Sequence, residues 1–116
     1  MSLASISIKF QLNVIAKHAR DWSQLVTGTE IFDRPGAGYL AHGLRIRKSE
    51  GSKREILDLF VGDDNTWQLD RHVRKGDDPW VLKGDNLGFD HRGFLTTDSE
   101  AVDVLSALRL YVVSRL

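Results

Sequence analysis

The sequence predicts an α+β fold, in which an antiparallel sheet is covered by a helix from the N-terminal half and a C-terminal helix. Three observations indicate this class: strict alternation near the N-terminus, short apolar runs separated by turn residues, and helical periodicity at the end of the chain. A single domain fits the 116 residues. A small pleckstrin-like barrel capped by the C-terminal helix is the alternative architecture.

The first two elements are predicted to be a strand and a helix. Apolar residues occupy every second position in residues 6–14, which is the period of a half-buried strand. Apolar residues then recur at intervals of three and four, so a helix is expected over residues 13–27, with Gly28 just beyond its end. The boundary between the strand and the helix is left open, since Asn13 could cap the helix or residues 14–16 could extend the strand.

A loop and a hairpin are predicted next. Pro and Gly cluster within residues 30–43, which indicates a loop. Residues 39–48 and 53–61 have the composition of two antiparallel strands, and the residues between them are typical of a turn. This hairpin and the strand before it would form part of the sheet.

The second half of the chain continues this meander and ends in a helix. A third strand is expected over residues 66–73, between turns at 62–65 and 75–79. The short apolar pieces in residues 80–95 are either strands or ordered loops. Residues 97–100 have the pattern of a capping box, and the helical spacing that follows predicts the C-terminal helix.

Basic residues of the hairpin are the main candidates for a binding site. Period-two alternation turns Arg45 and Arg47 toward water and Leu44 and Ile46 toward the core. A second basic cluster ends the third strand and joins the first if the two strands pair. The candidate partner-binding residues are Arg45, Arg47, Lys48, Lys53, Arg54, Arg71, His72, Arg74 and Lys75. Such a patch suits phosphates or an acidic protein surface, although charge also keeps edge strands soluble.

Three functions are open. The 16 Lys and Arg residues balance 16 Asp and Glu residues, which argues against a generally basic nucleic-acid binder. Segregation of charge into a basic hairpin and acidic turns favours a small non-enzymatic protein-binding domain, of inhibitor, immunity or adaptor type. The alternatives are a nucleic-acid-binding protein that uses the basic hairpin 44–54, and a small enzyme that uses Asp90 and His91. The aromatic residues available for stacking on bases are Trp67, Trp80, Phe89 and Phe94.

No cofactor or metal site is predicted. The four His residues lack metal-ligand spacing, Cys is absent, and the Asp-rich turns do not match a calcium-binding loop. We expect a cytoplasmic protein without membrane contact, because neither a signal peptide nor a run of about 20 apolar residues occurs. Homodimerisation is compatible with each function, since the C-terminal helix is more apolar than one packing face requires.

Overall fold

The structure is a computed structural model that describes residues 3–33, 42–62 and 64–116. A helix, five strands, a short hairpin and a second helix follow one another along the chain, so the fold class is α+β, as predicted. The elements are α1 (Leu3–Trp22), β1 (Val26–Asp33), β2 (His42–Glu50), β3 (Lys53–Val61), β4 (Trp67–Lys75), β5 (Val81–Asn86), β6 (Phe89–Asp90), β7 (Gly93–Phe94) and α2 (Ala101–Val113).

The main sheet is an open antiparallel meander. Its strand order is β1-β2-β3-β4-β5, so each strand pairs with the strand next to it in sequence. The strands β6 and β7 form a separate two-stranded sheet. Since β1 and β5 are edges and do not pair with each other, the barrel alternative is wrong.

Both helices pack on one face of this sheet. Leu44 and Ile46 of β2 are fully buried on that face, as predicted, and Leu12 of α1 and Leu108 of α2 are fully buried against it. Burying these apolar side chains is the main source of stability for a domain without disulfides. The opposite face carries the alternate strand residues and is the more polar of the two.

The predicted N-terminal strand is wrong, because residues 6–14 belong to α1. Two patterns overlap here, and the helical one continues further along the chain. Phe10 and Val14, which belong to the alternation, are exposed in the structure. The residues that α1 buries recur at helical spacing: Ile8, Leu12, Ile15, Ala16 and Ala19.

The predicted helix over residues 13–27 is right in type and too long at its end. The helix stops at Trp22, and β1 begins at Val26. Gly28 does not end the helix, because it lies at an irregularity in the pairing of β1 with β2, where the register shifts. A glycine inside a strand often marks such a bulge.

The predicted hairpin is confirmed by β2 and β3, which pair in register around a turn that contains Gly51. Gly51 has a φ of 60°, a conformation that glycine adopts without strain. The predicted loop at 30–43 is wrong at both ends, because β1 extends to Asp33 and β2 begins at His42. Residues 34–41 lie outside the described part of the chain.

The C-terminal half agrees with the prediction except at the helix cap. The third strand is confirmed as β4, and residues 80–95 contain β5, β6 and β7. The helix α2 is confirmed, but the capping box is wrong, since no side-chain hydrogen bond caps the helix at Glu100. Ser99 serves the preceding turn instead: its hydroxyl accepts from the Thr96 N–H (2.8 Å) and donates to the Asp90 carboxylate (2.9 Å).

Candidate functional site

Four cations gather where the β2–β3 and β4–β5 turns lie side by side. Lys53 is the direct cross-strand partner of Lys75, and Arg54 is that of Arg74. A backbone hydrogen bond from Gly76 to the β2–β3 turn (2.9 Å) ties the two turns together. The two predicted basic clusters are therefore joined, and these four residues are called the basic end.

Main-chain oxygens accept hydrogen bonds from three residues of the basic end, including Lys53, whose ammonium donates to the main-chain oxygen of Leu116 (3.0 Å). Arg54 donates to two carbonyls of its own turn (2.6 and 3.0 Å), and Arg74 Nε donates to the carbonyl of Gly76 (2.8 Å). The Asp77 carboxylate lies 3.5 Å from Arg74, but it is fully exposed to solvent, where an ion pair contributes little. Like charges directly opposite each other destabilise a sheet, so this arrangement costs the free protein stability.

A groove of about 270 Å³ opens beside the basic end, and all four of its cations line it. Arg71 also lines this groove. The Trp80 ring lies beside Arg74, with its centroid 5.8 Å from the guanidinium. Apolar side chains form part of the groove wall: Val73, Pro79 and Val81. The groove therefore combines five cations and apolar surface with one acidic residue, Asp78.

Arg45 and Arg47 face away from the core, as predicted, but carboxylates neutralise them. Arg45 donates two hydrogen bonds to the buried carboxylate of Asp58 (2.8 and 2.9 Å), which raises the pKa of the Arg45 guanidinium. Arg47 donates to Glu30 of β1 (2.8 Å), and His72 lies 3.7 Å from Asp58. These three candidates are separate from the basic end and have partners within the chain.

Lys48 is not on the surface, because its side chain is 0% exposed. Its ammonium donates to the Glu55 carboxylate (3.0 Å) and to the carbonyls of Tyr111 (2.7 Å) and Ser114 (2.8 Å), at the end of α2. Arg71 donates to the other oxygen of Glu55 (2.5 Å). Lys48 is therefore used inside the fold and is unavailable to a partner.

The period-two alternation of the sequence contains the evidence for this buried pair of Lys48 and Glu55. Lys48 follows Leu44 and Ile46 at intervals of two, so it shares their face of β2. Glu55 is related to Leu57 and Leu59 of β3 in the same way. A lysine and a glutamate on the inner face of adjacent strands are expected to pair, since a buried charge needs a partner.

Asp90 and His91 lie in the β6–β7 hairpin and its turn. The Asp90 carboxylate accepts hydrogen bonds from the N–H of Arg92 (2.7 Å) and from the Ser99 hydroxyl (2.9 Å), and these bonds lower its pKa. His91 is exposed in the turn. Neither residue lines a groove or cavity described for this part of the chain. None of these five grooves therefore supports the enzyme hypothesis at this pair.

Carboxylates gather at the opposite end of the sheet. Asp64 lies in the β3–β4 turn, Asp85 lies near the end of β5, and Asp98 and Glu100 precede α2. Asp64 accepts hydrogen bonds from the hydroxyl of Thr66 (2.6 Å) and from its N–H (3.2 Å), which lower the pKa of Asp64. The length of β3 separates this acidic end from the basic end by roughly 27 Å.

Residues 3–33, 42–62 and 64–116 also bear on metal binding and membrane contact. No group of three or more His, Asp or Glu residues in these ranges is placed to hold a metal ion. Neither of the described helices combines the length and apolar character needed to cross a bilayer.

Comparisons of the chain with protein families, with curated proteins and with solved structures give no match.

Proposed function

We propose that this chain is a small non-enzymatic protein-binding domain, of inhibitor, immunity or adaptor type, whose basic end binds an acidic surface of another protein. The pairing of Lys53 with Lys75 and of Arg54 with Arg74 carries the proposal. Two like-charged pairs on adjacent strands repel in the free domain, and an acidic partner would relieve that repulsion.

Two further observations favour a protein as the partner. The groove beside the basic end combines cations with the apolar side chains of Val73, Pro79 and Val81, a mixture typical of protein interfaces. The acidic end would repel a long polyanion that extended along the molecule. A compact acidic surface can contact the basic end without extending to the acidic end.

Charge reversal tests the proposal. The double variant Lys53→Glu/Lys75→Glu should reduce binding of the protein partner by roughly tenfold or more. The matched control is Lys9→Glu/Lys17→Glu, which makes the same change in net charge on exposed positions of α1. The measurement is affinity capture from nuclease-treated lysate, followed by titration of the recovered protein against each variant.

The outcomes separate clearly. A protein that binds the original chain and the α1 control, and is lost with the basic-end variant, supports the proposal. Equal capture by both double variants would contradict it, as would recovery of nucleic acid alone from lysate without nuclease.

Nucleic-acid binding is the second candidate, and the position of Trp80 favours it. Its indole is 42% exposed and lies beside Arg74, so a base could stack next to a cation. The other proposed stacking residues are less suitable. Trp67 is buried, and Phe89 and Phe94 stack on each other (4.9 Å between centroids) in the β6–β7 hairpin.

Fluorescence anisotropy with mixed single-stranded oligonucleotides tests this candidate. Trp80→Leu should weaken binding by roughly 5-fold to 150-fold, and affinity should fall steeply with salt. Phe89→Leu is the control, because it removes an exposed aromatic ring away from the basic end. Absence of binding at low salt would eliminate this function.

A further inference from the structure

The strand β5 is an open edge of the sheet. Leu87, just beyond β5, donates its N–H to the carbonyl of Trp67 in β4 (3.0 Å). Backbone groups alternate in direction along an antiparallel strand, so Lys83 and Asp85 also bond toward β4. The backbone groups of Leu82 and Gly84 therefore point away from the sheet, and no other described strand pairs with them.

This edge carries more apolar surface than a free edge usually does. Trp80, Val81 and Leu82 are consecutive and are 42, 51 and 60% exposed. Proteins usually protect such an edge with proline, a bulge or charge that repels a second strand. The charged residues of β5 are Lys83 and Asp85, which have opposite signs. They can therefore attract a second copy of the strand as well as repel it.

We propose that two copies of the chain pair along β5, antiparallel, about a two-fold axis through Gly84. The sequence is self-complementary about this residue, because Lys83 and Asp85 lie on either side of it. In this register Lys83 of each copy lies directly opposite Asp85 of the other. Two ion pairs form on the same side of the joined sheet, where opposite charges on facing strands stabilise pairing.

The same charges exclude the neighbouring registers. A shift of the axis to Lys83 places two ammonium groups opposite each other, and a shift to Asp85 places two carboxylates opposite each other. In the free chain the Asp85 carboxylate accepts the N–H of Asn86 (2.7 Å), and on pairing this N–H exchanges that bond for one to the Leu82 carbonyl of the other copy. Charge therefore selects one alignment of the two strands.

Pairing in this alignment also covers the apolar start of β5. Val81 lies opposite Leu87 of the other copy, and Leu82 lies opposite Asn86. The two five-stranded sheets become one continuous sheet, and the two-fold axis directs the two basic ends away from each other. The four cations of the basic end lie on β3 and β4, outside the paired strand, whereas Val81 of the adjoining groove is covered. The inference is argued from β5 alone and does not depend on the proposed function.

Charge exchange across the axis tests the pairing. Sedimentation equilibrium of the full chain should show a mass that doubles from 13.1 kDa as concentration rises. Lys83→Asp places carboxylates opposite each other and Asp85→Lys places ammonium groups opposite each other, so each variant alone should dissociate at least tenfold more readily. An equimolar mixture of the two variants should dimerise again, because every facing pair is then of opposite charge.

The control is the variant pair Lys9→Asp and Asp21→Lys, which makes the same charge changes on exposed positions of α1 and should leave the dimer unchanged. Both β5 positions are exposed, and circular dichroism will verify that the variants fold. A chain that stays at 13.1 kDa at millimolar concentration would overturn the proposal. So would a dimer that both single variants retain, or a mixture of the two variants that stays monomeric.

Discussion

Lys48 is the residue whose position differs most from its prediction. Its basic neighbours in sequence suggested a surface patch, yet it lies in the interior and donates to Glu55 and to the end of α2. Lysines in the interior require such acceptors, because an unpaired ammonium in apolar surroundings is strongly unfavourable. The three acceptors make Lys48 a connection between the sheet and the C-terminal helix.

Replacement of Lys48 by methionine should lower the free energy of unfolding by about 3 kcal/mol or more. The variant keeps much of the apolar stem but leaves Glu55 with Arg71 alone and leaves the carbonyls at the end of α2 without a donor. Urea denaturation followed by circular dichroism measures the change. Arg47→Met is the control, since its exposed pair with Glu30 is worth at most about 1 kcal/mol. Equal stability of the two variants would show that Lys48 is not a structural connection.

The partners of Arg45 and Arg47 show which part of the site sequence can predict. Alternation correctly predicted their direction, but not the carboxylates that meet them. Glu30 was placed in a loop, and Asp58 meets Arg45 only through the register of β2 with β3. Register depends on pairing between distant residues, which a local pattern does not contain.

At the scale of elements, the central meander was predicted better than the N-terminus. The hairpin and β4 have alternation bounded by turn residues, and tertiary packing agrees with that local preference. In α1, alternation and helical spacing coexist up to Val14, and only the helical pattern continues as far as Ala19. A longer window would have favoured the helix, because the apolar face persists over several turns.

The cross-strand pair at the basic end gives a prediction about stability. Lys75→Glu places a carboxylate opposite Lys53, so the variant should be more stable than the original chain by about 0.5 to 1 kcal/mol. Thermal or urea unfolding at low salt measures this gain. Lys9→Glu on α1 makes the same charge change and should alter stability by less than about 0.5 kcal/mol. A loss of stability in Lys75→Glu would mean that the lysine pair does not repel in the free domain.

At the scale of the whole molecule, electroneutrality conceals a strong separation of charge. The basic end and the acidic end lie at opposite ends of the sheet, although the formal net charge is zero. The zero net charge therefore argues only against functions that need a generally basic or acidic molecule. The distribution could be predicted only in part from sequence, because basic residues cluster around two turns, but Asp77 and Asp78 share one of these turns.

Electrostatic attraction between the basic end and an acidic partner should increase the rate at which the two proteins associate. Raising the salt concentration from about 0.05 to 0.5 M should slow association with the protein partner by roughly tenfold or more and change dissociation little, because the screening length shortens. Stopped-flow measurements with the partner recovered by capture provide the rates. The variant Lys53→Glu/Lys75→Glu should associate slowly with little salt dependence. Rates that do not respond to salt in the original chain would remove electrostatic steering from the proposal.

The bond between Lys48 and the end of α2 also has a consequence for the order of folding. Each strand of the meander pairs with its neighbour in sequence, so its loops close at small entropic cost. Lys48 and Tyr111 are 63 residues apart in sequence, so their contact closes a much longer loop than any strand pair of the meander. We therefore expect the sheet to form first and α2 to dock last, when Lys48 leaves water for its place among the carbonyls.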